Sequence, residues 1–380
     1  MKPTPPQFPA VALVKSLRKP LGLYIHIPFC AKKCAYCDFY SAFPEGTVTA
    51  RYLSALKEEI IKWGGLADRP IDTIYIGGGT PSLLGEKIGD ILKSVYDNFN
   101  VLKDAEITVE ANPCSITREF LKTAKKMGVN RLSIGVQSGN DNELKVLGRT
   151  HTASVAEKAV KLAREEGFDN ISLDLMLCLP DSTVKTLKSN IDFITDLDPE
   201  HISAYMLKIE ENTVFARREL NLPDEDKEAE QYLYMCNYLE SKGYEHYEIS
   251  NFCKIGKESR HNLKYWQCEE YIGIGPSAHS FFDEKRFFYP ADLKGFISCP
   301  ETVVEGDGGE MAEKLMLAFR LKKGINLLEF YEEIPRKLIE RIKRFEKAGL
   351  VDFKTPNLHL TDKGMLLSNI LITELIYEDL

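Results

Sequence analysis

Three cysteines fall within eight residues in Cys30-Ala31-Lys32-Lys33-Cys34-Ala35-Tyr36-Cys37. Thiolates at this spacing can wrap one loop around three irons of a cubane cluster. The fourth iron is then left without a protein ligand, the open position that a chelating cofactor needs. The competing chemistry is a zinc ion completed by a distant fourth ligand, such as His26 or another cysteine. Structural zinc sites are normally closed by close-set pairs, and no second pair follows here. The total of nine cysteines is odd, with no export signal ahead of them, which argues against a disulfide framework. Cys178 lies in an apolar run and reads as a small buried hydrophobe. Cys114, Cys236, Cys253, Cys268 and Cys299 show no ligand spacing, although Cys114 follows Asn112-Pro113 close to the other polar positions.

Those positions recur at the ends of apolar runs. Gly77-Gly78-Gly79-Thr80-Pro81-Ser82 closes one of them, and glycines there let a backbone edge approach a ligand. Glu110 and Gln137 end two more, and Arg149 follows in Leu147-Gly148-Arg149-Thr150-His151. Asp174 sits inside a fourth, between Leu173 and Leu175. A carboxylate in an apolar strand is costly unless paired, and Arg149 is its candidate counter-ion.

The elements that carry them alternate. Strands are expected at Leu21 to Ile27, Ile71 to Ile76, Glu106 to Ala111, Arg131 to Val136, Ile171 to Leu177 and His201 to Leu207. Amphipathic helices lie between, among them Ala50 to Trp63 and Ser154 to Glu165. The latter places Val155, Ala156, Ala159, Val160 and Ala163 on one face. Such alternation predicts a parallel α/β sheet with right-handed crossovers, either open or curled into a barrel. After residue 210 the alternation stops. Residues 224 to 242 read as a helix, 251 to 290 as aromatic and irregular, and the acidic, Gly-rich 301 to 309 as a linker. Residues 311 to 380 read as two helices, a short strand pair and a final helix. Within 301 to 380 there are 12 basic and 15 acidic residues, a net of -3. The whole chain, 380 residues long, carries a net charge of -8. Both balances disfavour nucleic acid as a partner. No apolar run is long enough for a transmembrane segment, and Met1 to Pro20 lacks a secretory core, so a cytoplasmic location is expected.

Tyr24-Ile25-His26-Ile27-Pro28-Phe29-Cys30, continued through Cys37-Asp38-Phe39, resembles the opening of the radical S-adenosylmethionine (SAM) superfamily. More narrowly, it is similar to the branch that holds oxygen-independent coproporphyrinogen III dehydrogenases and HemW haem chaperones. The resemblance covers almost the whole chain. It implies an α/β fold, a partial (β/α)6 radical SAM barrel with a small C-terminal winged-helix-like α+β domain. The expected division is a flexible lead-in over 1–20, the barrel over 21–250, an extension over 251–300 and the C-terminal domain over 301–380. It further implies a [4Fe-4S] cluster on Cys30, Cys34 and Cys37, with SAM on the open iron. SAM contacts are then carried over to Tyr24, Tyr36, Gly79, Thr80, Pro81, Glu110, Gln137, Arg149 and Asp174.

Two features sort the branch. The dehydrogenases carry a further cysteine two residues after the third, where this chain has Phe39. His261-Asn262-Leu263-Lys264-Tyr265-Trp266 matches the HNxxYW motif of the chaperones. Imidazole is a common axial ligand, and Tyr and Trp offer flat faces to a porphyrin. His261, Tyr265 and Trp266 are therefore candidate haem residues, with His279 in Gly273-Ile274-Gly275-Pro276-Ser277-Ala278-His279-Ser280 as a second imidazole. The resemblance implies a haem chaperone that passes haem to an acceptor haem protein, with a low-potential reductant as another partner. Oxidative decarboxylation of coproporphyrinogen III is the alternative. An aromatic segment that merely braces the barrel is the bland reading of the HNxxYW motif.

Overall fold

The structure, a computed structural model, describes residues 18–376. The lead-in expected over 1–20 lies almost wholly outside the described residues. Six strands, β1 (Leu21–Ile27), β2 (Ile71–Gly78), β3 (Val101–Ala111), β4 (Arg131–Gln137), β5 (Ile171–Leu177) and β6 (His201–Met206), pair in chain order, all parallel. The expected strands are all present, within a few residues at the ends. β1 and β6 do not meet. Beyond β6 lie β8 (Asn251–Cys253) and then β7 (Glu245–Glu248), antiparallel. On the other edge β9 (Tyr271–Ile274) runs parallel to β1. The barrel is therefore partial, and its sheet continues outward.

Alternation along the strands explains both faces. Leu21, Leu23, Ile25 and Ile27 of β1 are fully buried under the crossover helices. Each such side chain contributes about 1.5–3 kcal/mol relative to exposure. The intervening Gly22, Tyr24 and His26 face the other way, as do Thr73 and Tyr75 of β2, Glu110 of β3, Arg131 and Ser133 of β4 and Asp174 of β5. The lumen is thus polar. The helix Gly46–Leu66 packs Tyr52, Leu56, Ile60 and Trp63 on the outer face. The helix Ala153–Glu165 does the same with Ala156, Ala159, Val160 and Ala163, and its N-cap Thr152 accepts from Val155 N.

Two expectations are corrected. Residues 251 to 290 are regular: after the helix Arg260–Trp266 and β9 come β10 (His279–Phe282) and β11 (Lys285–Phe288), an antiparallel pair. Residues 301 to 309 are not a linker, because β12 (Val303–Asp307) pairs with β11 and forms the edge of the sheet. An exposed edge strand needs no apolar alternation, which is why its acidic, Gly-rich sequence hides it.

The C-terminal part holds the helices Met311–Ala318 and Arg336–Lys347 and a small sheet of β13 (Ile325–Asn326), β14 (Val351–Lys354) and β15 (Asn357–Leu360). The helices Asp362–Leu366 and Ser368–Ile376 follow. Thr361 starts the first of them, its hydroxyl accepting from Gly364 N at 3.1 Å. This part docks on the barrel extension through an antiparallel bridge between Glu248 and Leu321. No described helix is long and apolar enough to cross a membrane.

Candidate functional site

The cysteine loop hangs from the C-terminal end of β1. Cys30 N donates to Ala42 O at 3.0 Å and Ala42 N to Pro28 O at 2.6 Å, so the loop closes on its own stem. Ala35 N donates to Leu147 O at 2.9 Å, tying its middle to the segment after β4. Cys30, Cys34 and Cys37 are free and half-buried. Cys30 Sγ lies 3.5 Å from Thr80 Oγ1, and Arg149 Nη1 donates to Cys34 Sγ at 3.5 Å. Burial pushes the Cys30 and Cys37 thiols up, which favours their neutral form while no metal is bound.

The donor set fits a cubane better than a single zinc. Tetrahedral zinc at about 2.3 Å from sulfur would draw thiolates to within roughly 3.8 Å of one another. Among the described residues the one metal-ligating group gathered within 4.8 Å is Cys236, His246 and Asp362, not the three loop thiols. That group already holds a cation, since Lys322 pairs with Asp362. His26 offers no fourth ligand: its Nδ1 is 2.9 Å from Tyr24 Oη and its Nε2 is 3.3 Å from Tyr40 O.

The glycine segment after β2 lies against this loop. Gly79 N donates to Ile27 O at 2.8 Å and Thr80 N to Phe29 O at 2.7 Å. A Cβ on Gly79 would meet Phe29 O at 2.6 Å and Ile27 O at 2.8 Å, so only glycine fits. Pro81 is buried just behind. Next to it Glu110 accepts from Gly78 N at 3.0 Å and from Tyr75 Oη at 2.8 Å. At the end of β4 a register break and a positive φ of 73° at Gln137 re-aim that side chain. Gln137, Arg149 and Asp174 all approach Gly135, at 3.1, 3.2 and 3.8 Å from where its Cβ would stand.

The expected ion pair between Arg149 and Asp174 is absent. Arg149 instead donates to Cys34 Sγ and Gly135 O, and its buried Nε has no partner. Asp174 accepts only from Ser133 Oγ at 3.3 Å. Burial, then the charge of Glu110, push Asp174 up to about 7, and burial also raises Glu110. Tyr36 and Tyr24 are likewise raised by burial, and remain neutral phenols. Two carboxylates with no salt bridge to a guanidinium, Arg131 and Arg149 acting on them only at longer range, suit a ligand that brings cations and hydroxyls. A cavity of about 150 Å³ opens beside the loop, lined by Cys34, Thr80, Asn112, Cys114 and Arg149.

The HNxxYW helix lies at the opposite end of the barrel. His261 is fully buried, with Nδ1 2.9 Å from Thr73 Oγ1 and Nε2 2.8 Å from Tyr265 Oη. Its backbone N and that of Arg260 donate to Glu106 at the start of the regular part of β3. Its ring stacks on Tyr75 at 5.4 Å, and burial, then Lys264 and Arg131, lower it to about 3. Trp266 lies under the Arg320 guanidinium at 5.7 Å and borders a cavity of about 420 Å³ with Lys314, Lys323 and Phe330. His279 is exposed, stacked on Phe288 at 5.1 Å. The structure therefore separates the two candidate imidazoles, one sealed and one open. Sequence reasoning did not single out Tyr75, Ser133 or Arg131. Arg131 is fully buried at the floor of the lumen, and the only sequence signal for it is a charge at an inward position of an apolar strand.

The family model described as the radical SAM superfamily matches residues 24–194, and that of the HemN C-terminal domain matches 310–367. The heme chaperone HemW of Bacillus subtilis is 38% identical over 368 residues, covering 91% of this chain and 96% of that protein. The heme chaperone HemW of Lactococcus lactis is 34% identical over 380 residues, covering 96% and 99%. Among solved structures, coproporphyrinogen III oxidase (HemN) from Escherichia coli superposes with a TM-score of 0.81 at 23% identity. It covers 98% of this chain and 94% of that one, a likeness of fold.

Proposed function

Since the chain belongs to the HemW family of heme chaperones within the radical SAM superfamily, we propose that it holds a SAM-ligated [4Fe-4S] cluster and haem, and passes the haem to an acceptor protein. The observation that carries the cluster assignment is the loop of three free, half-buried thiols at the end of β1, beside Arg149 and the Gly77–Gly79 segment. Held by Cys30, Cys34 and Cys37, such a cluster would supply low-potential electron-transfer chemistry to a bound sulfonium.

The chain's own residues do the positioning. Cys30, Cys34 and Cys37 hold the cluster, and Arg149 offsets the charge of Cys34. The Gly79 and Thr80 backbone keeps the second strand end tight against the loop. Glu110, held by Gly78 N and Tyr75, receives an ammonium or ribose hydroxyl, and Asp174, Gln137 and Tyr24 line the lumen around it. Tyr36 and Pro81 close its rim. His261 and Tyr265 brace the lower end of the barrel, with Trp266 at the edge of the neighbouring cavity.

Phe39 favours the chaperone over the decarboxylase. Its side chain stands 69% exposed where the dehydrogenases carry a further cysteine. The test uses one anaerobically reconstituted sample, given hemin in one arm and coproporphyrinogen III with SAM and reductant in the other. Haem binding without protoporphyrinogen IX formation is expected. Efficient decarboxylation would overturn the chaperone reading in favour of the enzyme.

A further inference from the structure

The sequence has seven histidines, all among the described residues. An axial ligand needs an imidazole nitrogen with a free lone pair and a path to it, so each can be tested in turn. His26, His201 and His261 are buried with both ring nitrogens within hydrogen-bond distance of protein groups. His151 and His246 each engage one nitrogen and bury the other. His359 is half-exposed, but its Nε2 lies 3.2 Å from Asp352 Oδ2, and no described aromatic ring stacks on it. His279 alone combines an exposed side chain, a stacked aromatic ring and an Nε2 with no partner among the described residues.

The surroundings of His279 suit that use. Its Nδ1 is 3.4 Å from Glu305 Oε2. A carboxylate at that nitrogen favours the tautomer with the proton on Nδ1, which leaves the Nε2 lone pair free for a ligand. Strand registers give it a platform. His279 pairs with Phe288 and Phe288 with Val303, so an imidazole, a phenyl ring and a valine lie side by side on one face of β10, β11 and β12. Val303 is 45% exposed. On the other side Gly273 lies between His279 and Tyr24, which pairs with Gly273 across β1 and β9. The platform is thus on the face that continues the barrel lumen, and Gly273 lets β10 close in on β9, because a Cβ there would overlap the His279 carbonyl.

Resting on the chaperone reading, we propose that haem is held by His279 Nε2 on this open face, with Phe288 and Val303 under the porphyrin and Glu305 as a positioning residue. A shallow site on an exposed sheet face lets the acceptor reach the porphyrin without unfolding the carrier. It also assigns the HNxxYW histidine to the barrel floor rather than to iron.

The test is an anaerobic hemin titration of the cluster-reconstituted full chain, read by difference spectra in the Soret region. The His279→Ala variant should lose the wild-type Soret position and at least about tenfold in affinity, with free imidazole restoring the band. Glu305→Gln should keep binding but, in resonance Raman spectra of the reduced, ferrous complex, lower the iron–imidazole stretching frequency, which a merely structural role would not do. The His261→Ala variant, its fold checked by iron content, should keep the wild-type spectrum. An unchanged spectrum in His279→Ala, or a shifted one in His261→Ala, overturns the assignment. No hemin binding by the wild-type chain would overturn the chaperone reading itself.

Discussion

Asp174 is pushed up to about 7 by burial and by the charge of Glu110, against a single hydrogen bond from Ser133 and the more distant Arg131 and Arg149. A carboxyl whose folded value is raised favours the folded state fully below its ordinary range, near 4, and loses that contribution as pH rises through about 7. The SAM-free chain should therefore melt at progressively lower temperature between these limits, and Asp174→Asn should flatten the trend. SAM adds positive charge to the lumen and favours the carboxylate. Binding near pH 6 should then release protons from the wild type and fewer from Asp174→Asn, measurable by calorimetry in buffers of different ionisation enthalpy. Gly79→Ala makes a second test, because its methyl would overlap Phe29 O and Ile27 O, backbone atoms that cannot swing away. The variant should fold with less iron after reconstitution; full iron content would show that the loop has more freedom than its contacts imply. Both positions were legible in the sequence, one as a glycine run after a strand and one as a charge in an apolar strand. The state of Asp174 was not. Pairing with Arg149 was the simplest expectation, and the preference of Arg149 for Cys34 and Gly135 is a tertiary fact.

The six parallel strands could be read because each buries an apolar row beneath helices, so apolar runs mark them even where alternate residues are polar. β9 to β12 were missed because they are four or five residues long, and β10 to β12 are partly exposed as well, so their pairing supplies what their sequence does not. The HNxxYW helix shows the same limit from the other side. Its motif was plain, but the partners that decide its role come from β2 and β3, far away in the chain. Removing the imidazole with His261→Ala leaves Thr73 and Tyr265 hydroxyls without their partner in a buried place. That should destabilise the chain by about 1–3 kcal/mol. Denaturant titration would measure it, and Thr73→Val should give a smaller loss. Iron content should stay near wild type, because the helix sits at the strand end opposite the cysteine loop. Loss of stability below a few tenths would mean the helix is held by other contacts.

The C-terminal part meets the barrel at Asp362, which draws together groups from two other segments. It accepts from His246 Nδ1 of β7 at 3.0 Å and pairs with Lys322, and these hold its carboxyl down to about 2. A depressed carboxyl contributes stability above its ordinary range and loses it as pH falls toward about 2, so the junction is intact at neutral pH. Backbone links lie beside it, Ile249 N to Arg320 O at 3.0 Å and Lys322 N to Tyr247 O at 2.9 Å, and side-chain links follow through Arg286 with Glu313 at 2.6 Å and Arg320 over Trp266. Asp362→Ala would leave Lys322 without its acceptor and His246 with both nitrogens unpartnered beside Phe252. Residues 310–376 should then open more readily than the barrel, seen as faster amide hydrogen exchange in Ile249, Lys322 and the helix Asp362–Leu366. The cysteine loop should keep its iron, because its contacts come from β1, β2 and the segments after β4 and β6. Faster exchange throughout the barrel would mean that the two parts unfold as one unit, and that the C-terminal part stabilises the lumen as well as covering its flank.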